Sequence, residues 1–454
     1  MHSTSKHYLS IAFIEPSEGA IGGPPASEEW FAKIEKEVLE KLEELYPDIE
    51  FKTYKIKSVK DVNEFLKKES GSLGYVVFIL NCIAGFVRPI FFSGKPTIAI
   101  AETYGGSGEL LLEYSRALKN KLPIVGVVSR NVADEGVLRK IGLLETMFKL
   151  KKTKALFIVS PSEKYLLSLE YPLSIHLYSA LRDIQAIAGI TPVVLNAKDF
   201  ISEYYNVVDE AEARKIAEKW VKEASENLEP DFSEVVKSAK LYIAMKNAAK
   251  DYEANMVAID CIVLRNTGIL DAWPCLGFME LWNDGIMPVC EADPYSAVAI
   301  LIGKYLAGVN GFVVDVAVDM LKNEVIYYHC YAPLNPHGIP REKYPYTITT
   351  AHLGVKHASV SVKLPVNETV TAVGLIPDER VFVIHTAEIV NVEYSNYACS
   401  VKLVGKANVK AISKKWPWKS GWHRVILYGD LRNELKELAT LLGLKVLEED
   451  KDAL

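Results

Sequence analysis

Continuous hydrophobic runs alternate with amphipathic stretches over the first 160 residues. Ser27 precedes a stretch whose apolar residues recur at spacings of three and four, which predicts a helix capped by that serine. Buried strands are predicted at residues 8–14, 51–54, 75–80, 97–101, 124–128 and 155–159. Apolar strands separated by amphipathic helices are typical of a parallel sheet covered on both faces. We therefore predict a doubly wound, Rossmann-like α/β domain over residues 1–164.

The same alternation returns in the next part of the chain. Strands are predicted at residues 192–195, 256–259, 286–290, 311–314 and 325–328, with helices at 211–225, 232–252 and 295–306. A proline-rich connector at 333–345 follows the last of these strands. We therefore predict a second doubly wound α/β domain over residues 165–344.

From residue 346 the pattern changes to alternation of single apolar and polar residues, with turn signals between short segments. This texture is typical of antiparallel β structure, and the last segment, 421–444, predicts a strand followed by an amphipathic helix. The predicted fold class is thus α/β, with two doubly wound Rossmann-like α/β domains followed by a C-terminal antiparallel β-barrel-like domain over residues 345–454.

Composition and charge exclude several classes of partner. The 454 residues are 49% hydrophobic and 24% charged, with a net charge of −6, which is typical of a soluble globular protein. The sequence contains no basic stripe of the kind that would indicate a nucleic-acid or membrane-surface partner. Small anionic substrates are not excluded by the net charge. The longest apolar run, residues 73–87, is shorter than the roughly 20 residues of a membrane-spanning helix. Because the N-terminus lacks the pattern of a signal peptide, we expect a cytoplasmic protein.

Cysteine usage agrees with a cytoplasmic location, and glutamine usage indicates the thermal habitat. None of the six cysteines forms a CxxC pair, and most lie in apolar segments, which predicts reduced core thiols. The chain has a single glutamine, Gln185, beside abundant Lys and Glu. That composition is typical of a protein from a hyperthermophile.

The densest cluster of reactive residues lies between 273 and 330. Glu291 follows the predicted strand 286–290, Asp315 follows 311–314, and His329 ends the next strand, while Asp293-Pro294 predicts a helix start. Side chains at the carboxyl ends of strands lie at the edge of an α/β sheet where ligands bind. Two carboxylates and an imidazole suit Mn²⁺, Mg²⁺ or Co²⁺. These residues are explained equally well without a metal, with Glu291 and Asp315 as helix caps or loop acids and His329 as a structural histidine.

Specific strings then indicate a family. CEAD at 290–293, after PCLGFMELWNDGI, together with Asp315, HC at 329–330 and GWHRVILYGD at 421–430, resembles the L-fucose isomerase and L-arabinose isomerase superfamily, and most closely its fucose-isomerase-like group. The resemblance is best over about 255–335 and 415–445, whereas the first 160 residues agree only in architecture.

The resemblance implies a metal-dependent aldose–ketose isomerase that acts on a sugar through a cis-enediolate, with Mn²⁺ (or Co²⁺ or Mg²⁺) as its cofactor. It makes Glu291 and Asp315 both metal ligands and the catalytic proton-transfer pair, and it makes His423 a further ligand. His329 matches a ligand of the arabinose isomerases, so it either binds the metal or supports a residue that does. The family's assembly implies a homo-oligomer, a trimer or a hexamer.

Several residues are candidates for sugar binding. Trp418 and Trp422, with Trp416, are suited to stacking on a sugar face, although they are also explained as a lid over the β domain. Asn81 and Arg88 lie at the rim of the first sheet and are candidates for contacts in a neighbouring subunit's site. Three further histidines and one glycine-rich turn are better explained by structure: His352, His357, His385 and the segment 105–109.

Three alternatives stay open. Cys275, Cys290 and Cys330 with His329 are candidates for a structural zinc site, although their spacing matches no zinc ribbon or knuckle. Two α/β lobes also suit a non-catalytic sugar-binding or regulatory protein. Finally, the same metal site suits a modified sugar. Fucose, arabinose, a related deoxy sugar and a sulfonated or phosphorylated sugar all remain candidate substrates.

Overall fold

The computed structural model of the protein describes residues 8–15, 27–81, 85–160, 165–166, 175–350, 357–394 and 397–452. The chain divides into two compact units. Unit 1 comprises Met1–Phe148 and Glu434–Lys445, and unit 2 comprises Lys149–Asn433 and Val446–Leu454. The predicted domain boundaries after residues 164 and 344 stay predictions.

The strands, in chain order, are β1 (Tyr8–Ile14), β2 (Glu50–Ile56), β3 (Tyr75–Ile79), β4 (Thr97–Glu102), β5 (Ile124–Ser129), β6 (Lys154–Val159), β7 (Tyr165–Leu166), β8 (Ile175–His176), β9 (Thr191–Asn196), β10 (Glu226–Asn227), β11 (Met256–Ile259), β12 (Met287–Cys290), β13 (Phe312–Asp319), β14 (Glu324–His329), β15 (Tyr346–Thr350), β16 (Ala358–Val362), β17 (Glu368–Ile376), β18 (Val381–Val392), β19 (Val401–Lys406), β20 (Arg424–Tyr428) and β21 (Lys445–Glu448). The α-helices are α1 (Glu28–Leu45), α2 (Val59–Lys68), α3 (Val87–Phe91), α4 (Ser107–Lys119), α5 (Glu135–Leu138), α6 (Gly142–Lys152), α7 (Leu177–Ala188), α8 (Ala197–Phe200), α9 (Glu210–Glu223), α10 (Phe232–Asp251), α11 (Cys261–Asn266), α12 (Cys275–Leu281), α13 (Pro294–Ile302), α14 (Val409–Lys415) and α15 (Arg432–Leu441). Short 3₁₀ turns cover Arg139–Ile141 and Trp418–Ser420, and π-helical turns cover Ile201–Tyr205 and Gly303–Ala307.

Unit 1 is built on a parallel five-stranded sheet in the order β2-β1-β3-β4-β5. Strands β3 and β4 are buried along their whole length, which explains their continuous apolar sequences. The predicted start of α1 is confirmed, because the Ser27 hydroxyl accepts a hydrogen bond from Trp30 N at 3.2 Å. The doubly wound pattern therefore correctly predicted a parallel α/β sheet here.

The glycine-rich turn before α4 packs directly on β3. A Cβ added at Gly106 would lie 1.9 Å from the Ile79 carbonyl oxygen, although the φ of −109° is open to any residue. We expect Gly106→Ala to destabilise the protein by about 1–3 kcal/mol through overpacking, measured as a lower thermal unfolding midpoint. Gly108→Ala is the control, because its Cβ would meet nothing within 4 Å. Equal effects of the two substitutions would contradict the steric explanation.

Unit 2 contains a parallel sheet in the order β12-β11-β6-β9. Strand β6 was predicted to complete the first sheet, and this was wrong, because β6 pairs with β9 and β11. A buried apolar strand carries no local signal that distinguishes one parallel sheet from the next. The site described below depends on the end of β12 in this sheet.

The largest sheet of unit 2 has the order β17-β20-β13-β14-β19-β18-β21, and β17 also pairs with β18. Strands β13 and β14, which we predicted in the second parallel sheet, lie here as an antiparallel hairpin. Only four residues, 320–323, connect them, and a parallel pair would require a crossover of a dozen residues or more. The separate antiparallel sheet is therefore confirmed, whereas its barrel-like form stays a prediction.

Smaller elements complete unit 2. A three-stranded sheet has the order β10-β15-β16, and β7 and β8 form a short ribbon. Helix α14 replaces the strand texture predicted around residue 409, because the Asn408 side chain accepts a hydrogen bond from Ala411 N and caps a helix.

Five of the cysteines fall in the described ranges, and all five are buried and outside any disulfide. Cys82 and His352 lie outside the described residues. Among the helices that the structure describes, we find none with the length and apolar composition to cross a membrane.

Candidate metal centre

A strained turn carries Glu291 at the carboxyl end of β12. Glu291 and Ala292 have φ values of 58° and 49°, and Asp293 N donates to Cys290 O at 3.3 Å to close the turn. Left-handed conformations cost non-glycine residues about 1–3 kcal/mol each and are concentrated at functional sites. The turn therefore holds the buried Glu291 carboxylate in a position that the backbone would not adopt without support from its surroundings.

Asp293 joins this turn to helix α13. Its Oδ1 accepts hydrogen bonds from Tyr295 N at 2.8 Å and Ser296 N at 3.1 Å, and Pro294 is the first helical residue. The predicted helix start at Asp293-Pro294 is thereby confirmed. Its Oδ2 accepts hydrogen bonds from the Ser296 hydroxyl and from His423 Nδ1, the latter at 3.0 Å. The sequence pattern predicted the cap and missed this second role.

Antiparallel pairing brings His423 to Asp315. Val314 pairs with Arg424 across β13 and β20, so Asp315 and His423 are the next residues in the same register. Asp315 thus lies within β13 and not beyond the end of a parallel strand, which corrects the sequence prediction. His423 Nε2 lies 3.8 Å from Asp315 Oδ1 and 3.5 Å from Glu291 Oε2. His423 is therefore a neighbour of both Asp315 and Glu291.

His329 approaches Glu291 from the other side. Its Nε2 lies 3.5 Å from Glu291 Oε1, and its ring centre lies 5.7 Å from that of His423 at an interplanar angle of 72°. His329 is buried, and its Nδ1 has no hydrogen-bond partner among the described residues. The two histidines therefore face the two different oxygens of one carboxylate.

Charge coupling dominates the protonation of these side chains. Burial alone would raise the pKa of Glu291, but the His329 and His423 imidazoles outweigh burial and hold this pKa well below its usual range. Burial alone would lower the pKa of His423, but Asp293 and Glu291 raise it well above its ordinary value. The pKa of His329 is also raised, because Glu291 outweighs burial. The carboxylates thus favour positive charge at the imidazole nitrogens that face them.

The spacing of Glu291 from each of the two histidines fits a divalent cation, whereas among the described residues Glu291, Asp315 and His423 do not form a set whose ligand atoms all lie within 4.8 Å of one another. Two donor atoms that bind one ion at about 2.1 Å lie roughly 3.0–3.5 Å apart, which is longer than an ordinary hydrogen bond. The contacts of Glu291 with the two histidines, at 3.5 Å each, match that separation, and the contact of His423 with Asp315, at 3.8 Å, is slightly longer. The donor set of carboxylate oxygens and imidazole nitrogens suits hard and borderline ions.

Asp293→Asn is expected to weaken divalent-ion binding about 10–100-fold. The Asn oxygen can keep the helix cap, but its amide nitrogen then replaces the oxygen that accepts from His423 Nδ1. The imidazole must move its proton to Nε2, the nitrogen that faces Glu291 and Asp315. Calorimetric Mn²⁺ titration measures the affinity.

The control for this substitution is Asp209→Asn. Asp209 caps α9 by accepting from Ala211 N, and it is exposed. We expect Asp209→Asn to leave the metal affinity at the wild-type value. If Asp293→Asn binds Mn²⁺ as tightly as the control does, Asp293 does not orient His423.

The predicted sugar-binding residues occupy different places. Trp418 and His423 both line a cavity of about 260 Å³, whereas Trp422 is exposed and is not among the residues that line it. In unit 1, Asn81 lies two residues after the end of β3 and is buried, and Arg88 forms a two-pronged ion pair with Glu113 at 2.7 and 3.0 Å. The roles of these four residues in sugar binding stay predictions.

The structure does not group the cysteines as the alternative of a structural zinc site with Cys275, Cys290, Cys330 and His329 requires. Among the described residues, Cys290, Glu291 and His329 place one ligand atom each within 4.8 Å of one another, and Cys275 and Cys330 lie outside this group. His357 and His385 have carboxylate partners instead, Glu234 and Glu449 at 2.7 Å each. Cys290 and His329 were already grouped as zinc candidates from the sequence, whereas the place of Glu291 beside Cys290, instead of Cys275 and Cys330, was not predicted.

Comparison with known proteins identifies partial relatives, whereas no family model matches the chain. Curated sulfoquinovose isomerases of Priestia aryabhattai and Priestia megaterium (strain ATCC 12872 / QMB1551) are each 26% identical over 190 residues, which is 39% of this chain and 40% of each relative. The sulfoquinovose isomerase of Clostridium sp. (strain MSTE9) is 28% identical over 186 residues, 38% of this chain and 39% of that protein. The chain therefore matches about two fifths of the length of these relatives.

The similarity of this chain to solved structures is weak. A solute-binding protein of an ABC transporter from Burkholderia multivorans is 12% identical, with 59% of this chain and 86% of that chain covered and a TM-score of 0.18. A carbohydrate transporter from Acidothermus cellulolyticus 11B is also 12% identical, with 66% and 88% covered and a TM-score of 0.19. Scores this low support neither a fold nor a function.

Proposed function

We propose that this protein is a metal-dependent aldose–ketose isomerase. The observation that carries the proposal is the position of one imidazole nitrogen, His423 Nε2, which lies 3.5 Å from the Glu291 carboxylate and 3.8 Å from the Asp315 carboxylate. Similarity to the sulfoquinovose isomerases supports the same class of reaction.

The chemistry requires one proton to move between C2 and C1 of an open-chain sugar and a second proton to move between O2 and O1. A carboxylate oxygen of Glu291 or Asp315 removes the proton from one carbon and returns it to the other, a contribution of about 10²–10⁴-fold. No covalent bond between protein and sugar is required. Burial of Glu291 limits exchange of that proton with bulk water.

The remaining residues hold the cation and the geometry. Glu291, Asp315 and His423 would bind Mn²⁺ (or Co²⁺ or Mg²⁺), with His329 as a further ligand or a support for Glu291. When bound, the ion supplies Lewis-acid stabilisation of negative charge on the sugar oxygens. Asp293 keeps the His423 proton on Nδ1, so that Nε2 presents its lone pair toward Glu291 and Asp315.

The same proposal leads to expectations about which sugars are substrates and how many subunits assemble. A sulfonated sugar ranks with fucose, arabinose and related deoxy sugars as a candidate, because the curated relatives are sulfoquinovose isomerases. We also expect a homo-oligomer, a trimer or a hexamer, in which Asn81 and Arg88 contact the sugar of a neighbouring subunit. Light scattering measures the subunit number.

The test is ketose formation by the metal-stripped protein, with and without added Mn²⁺, over neutral and sulfonated sugars. The composition indicates a temperature of about 70 °C. Asp315→Asn should abolish turnover, whereas Asp319→Asn, at the exposed end of the same strand, should retain it. Sugar binding without turnover on any substrate would reject the isomerase and favour a non-catalytic sugar-binding protein.

A further inference from the structure

The Glu291 carboxylate is shared between two sets of donor atoms. Its Oε2 faces His423 Nε2, which in turn lies beside Asp315. Its Oε1 faces His329 Nε2 at 3.5 Å. The ligand atoms of Cys290 and His329 lie within 4.8 Å of each other and of Glu291. Glu291 therefore takes part both in an oxygen-rich donor set with His423 and Asp315 and in a second set that contains sulfur.

His329 lacks the hydrogen bonds expected of a buried imidazole. Its Nε2 contact with Glu291, at 3.5 Å, exceeds the 2.7–3.2 Å of an ordinary N–H···O hydrogen bond. Its Nδ1 has no hydrogen-bond partner among the described residues, although the side chain is 1% exposed. Buried polar groups are almost always satisfied, so the unpartnered Nδ1 and the long Nε2 contact together make His329 a candidate metal ligand.

The chemistry of the donors selects the ion. Thiolate, imidazole and carboxylate together form the ligand set that Zn²⁺ and Co²⁺ prefer, whereas Mn²⁺ and Mg²⁺ prefer oxygen. We propose that Cys290 Sγ, His329 Nε2 and Glu291 Oε1 form a binding site for Zn²⁺, adjacent to the oxygen-rich site and bridged to it by Glu291. Binding displaces the Cys290 thiol proton, which passes to solvent, so no oxidant or reductant is required.

Occupancy of this site has a consequence for catalysis, and this consequence alone rests on the proposed function. A Zn²⁺ ion held by Glu291 Oε1 withdraws electron density from the carboxylate and limits its movement. The carboxylate then accepts a proton less readily. Zn²⁺ therefore acts as an inhibitor of the Mn²⁺-supported isomerase and does not substitute for Mn²⁺.

Direct spectroscopy of the wild-type chain tests the site without any reference to activity. Zinc K-edge absorption of the protein loaded with one equivalent of Zn²⁺ is expected to show a sulfur neighbour at about 2.3 Å. Co²⁺ in place of Zn²⁺ is expected to give a near-ultraviolet thiolate-to-cobalt charge-transfer band. Coordination by nitrogen and oxygen alone, in both experiments, would overturn the proposal.

Variants assign the sulfur to its residue. Cys290→Ser and Cys290→Ala should each lose the cobalt band and weaken Zn²⁺ binding by roughly 100-fold or more, because a direct ligand matters more than a supporting residue. Cys275→Ser is the matched control, since Cys275 is another buried thiol in unit 2 that lies outside the cluster. A band that persists in both Cys290 variants, or one that disappears in Cys275→Ser, would overturn the assignment.

A further measurement separates this inference from the proposed function. Asp315→Asn should abolish Mn²⁺-supported turnover but keep the cobalt band. In Cys290→Ser, the Zn²⁺ concentration that halves turnover, relative to that variant's own zinc-free rate, should rise about 100-fold. If no sugar is isomerised at all, the cobalt band still decides whether the zinc site exists.

Discussion

Replacing Glu291 by glutamine is expected to lower the isomerase rate by about 10⁴-fold. The amide cannot accept the proton that the proposed reaction removes from carbon, and loss of a general base costs up to about 10⁴-fold. The same change removes the negative charge between His329 and His423, each 3.5 Å from one of its oxygens. The measurements are kcat on the best sugar of the panel and the Mn²⁺ dissociation constant by titration.

A matched variant distinguishes this role from a general effect of charge. Glu324 lies at the partly exposed start of the strand that ends at His329, where it pairs with Lys406 at 3.0 Å. Glu324→Gln should keep both turnover and metal affinity. Because glutamine keeps the size of the side chain, circular dichroism should show the wild-type fold for both variants. A Glu291→Gln protein that still isomerises sugar at the rate of Glu324→Gln would rule out Glu291 as proton acceptor.

Glu449→Gln is expected to destabilise the protein by about 3–5 kcal/mol, the cost of removing one partner from a buried ion pair. Glu449, Arg424 and His385 are all fully buried, and the Glu449 carboxylate lies 2.7 Å from each of the other two side chains. The substitution leaves the Arg424 guanidinium in the core without its counter-charge. Denaturant unfolding at pH 7 measures the loss.

The neighbouring glutamate is the control for this prediction. Glu448 pairs with Arg432 at 2.7 Å but is partly exposed, so Glu448→Gln should cost about 1 kcal/mol or less. A loss for Glu449→Gln no larger than that of Glu448→Gln would show that the buried pair contributes little. Arg424 also donates to the backbone oxygen of His423 at 2.7 Å, so the pair anchors the segment that carries His423.

The same pair predicts how stability depends on pH. Burial alone would raise the pKa of Glu449, but Arg424 and His385 outweigh it and lower the pKa to about 2, from an ordinary value of 4.5. A carboxyl group with a lowered pKa in the folded state stabilises the protein fully above its unfolded pKa. We therefore expect this contribution to be present above about pH 4.5 and to be lost as the pH falls toward 2. Glu449→Gln should show a smaller decline over that range.

Local signals in the sequence were sufficient for the presence of parallel α/β structure and for the helix starts, but not for which sheet each strand joins. Burial of β3 and β4 on both faces requires continuous apolar residues, which the sequence displays directly. The caps at Ser27 and Asp293 involve backbone groups no more than three residues away. Features of this kind are predictable because the interacting groups are close along the chain. The motif at 290–293 likewise located the turn of Glu291.

Only the tertiary structure decided three features: the sheet that contains Asp315, the second role of Asp293, and the separation of Cys275 and Cys330 from Cys290 and His329. The hydrogen bond between Asp293 and His423 joins residues 130 positions apart, and it depends on the register of β13 with β20. A buried strand has the same apolar sequence whether its neighbours are parallel or antiparallel. Which distant side chains meet at its end therefore depends on strand pairing, which is set by packing over the whole unit and not by local residues.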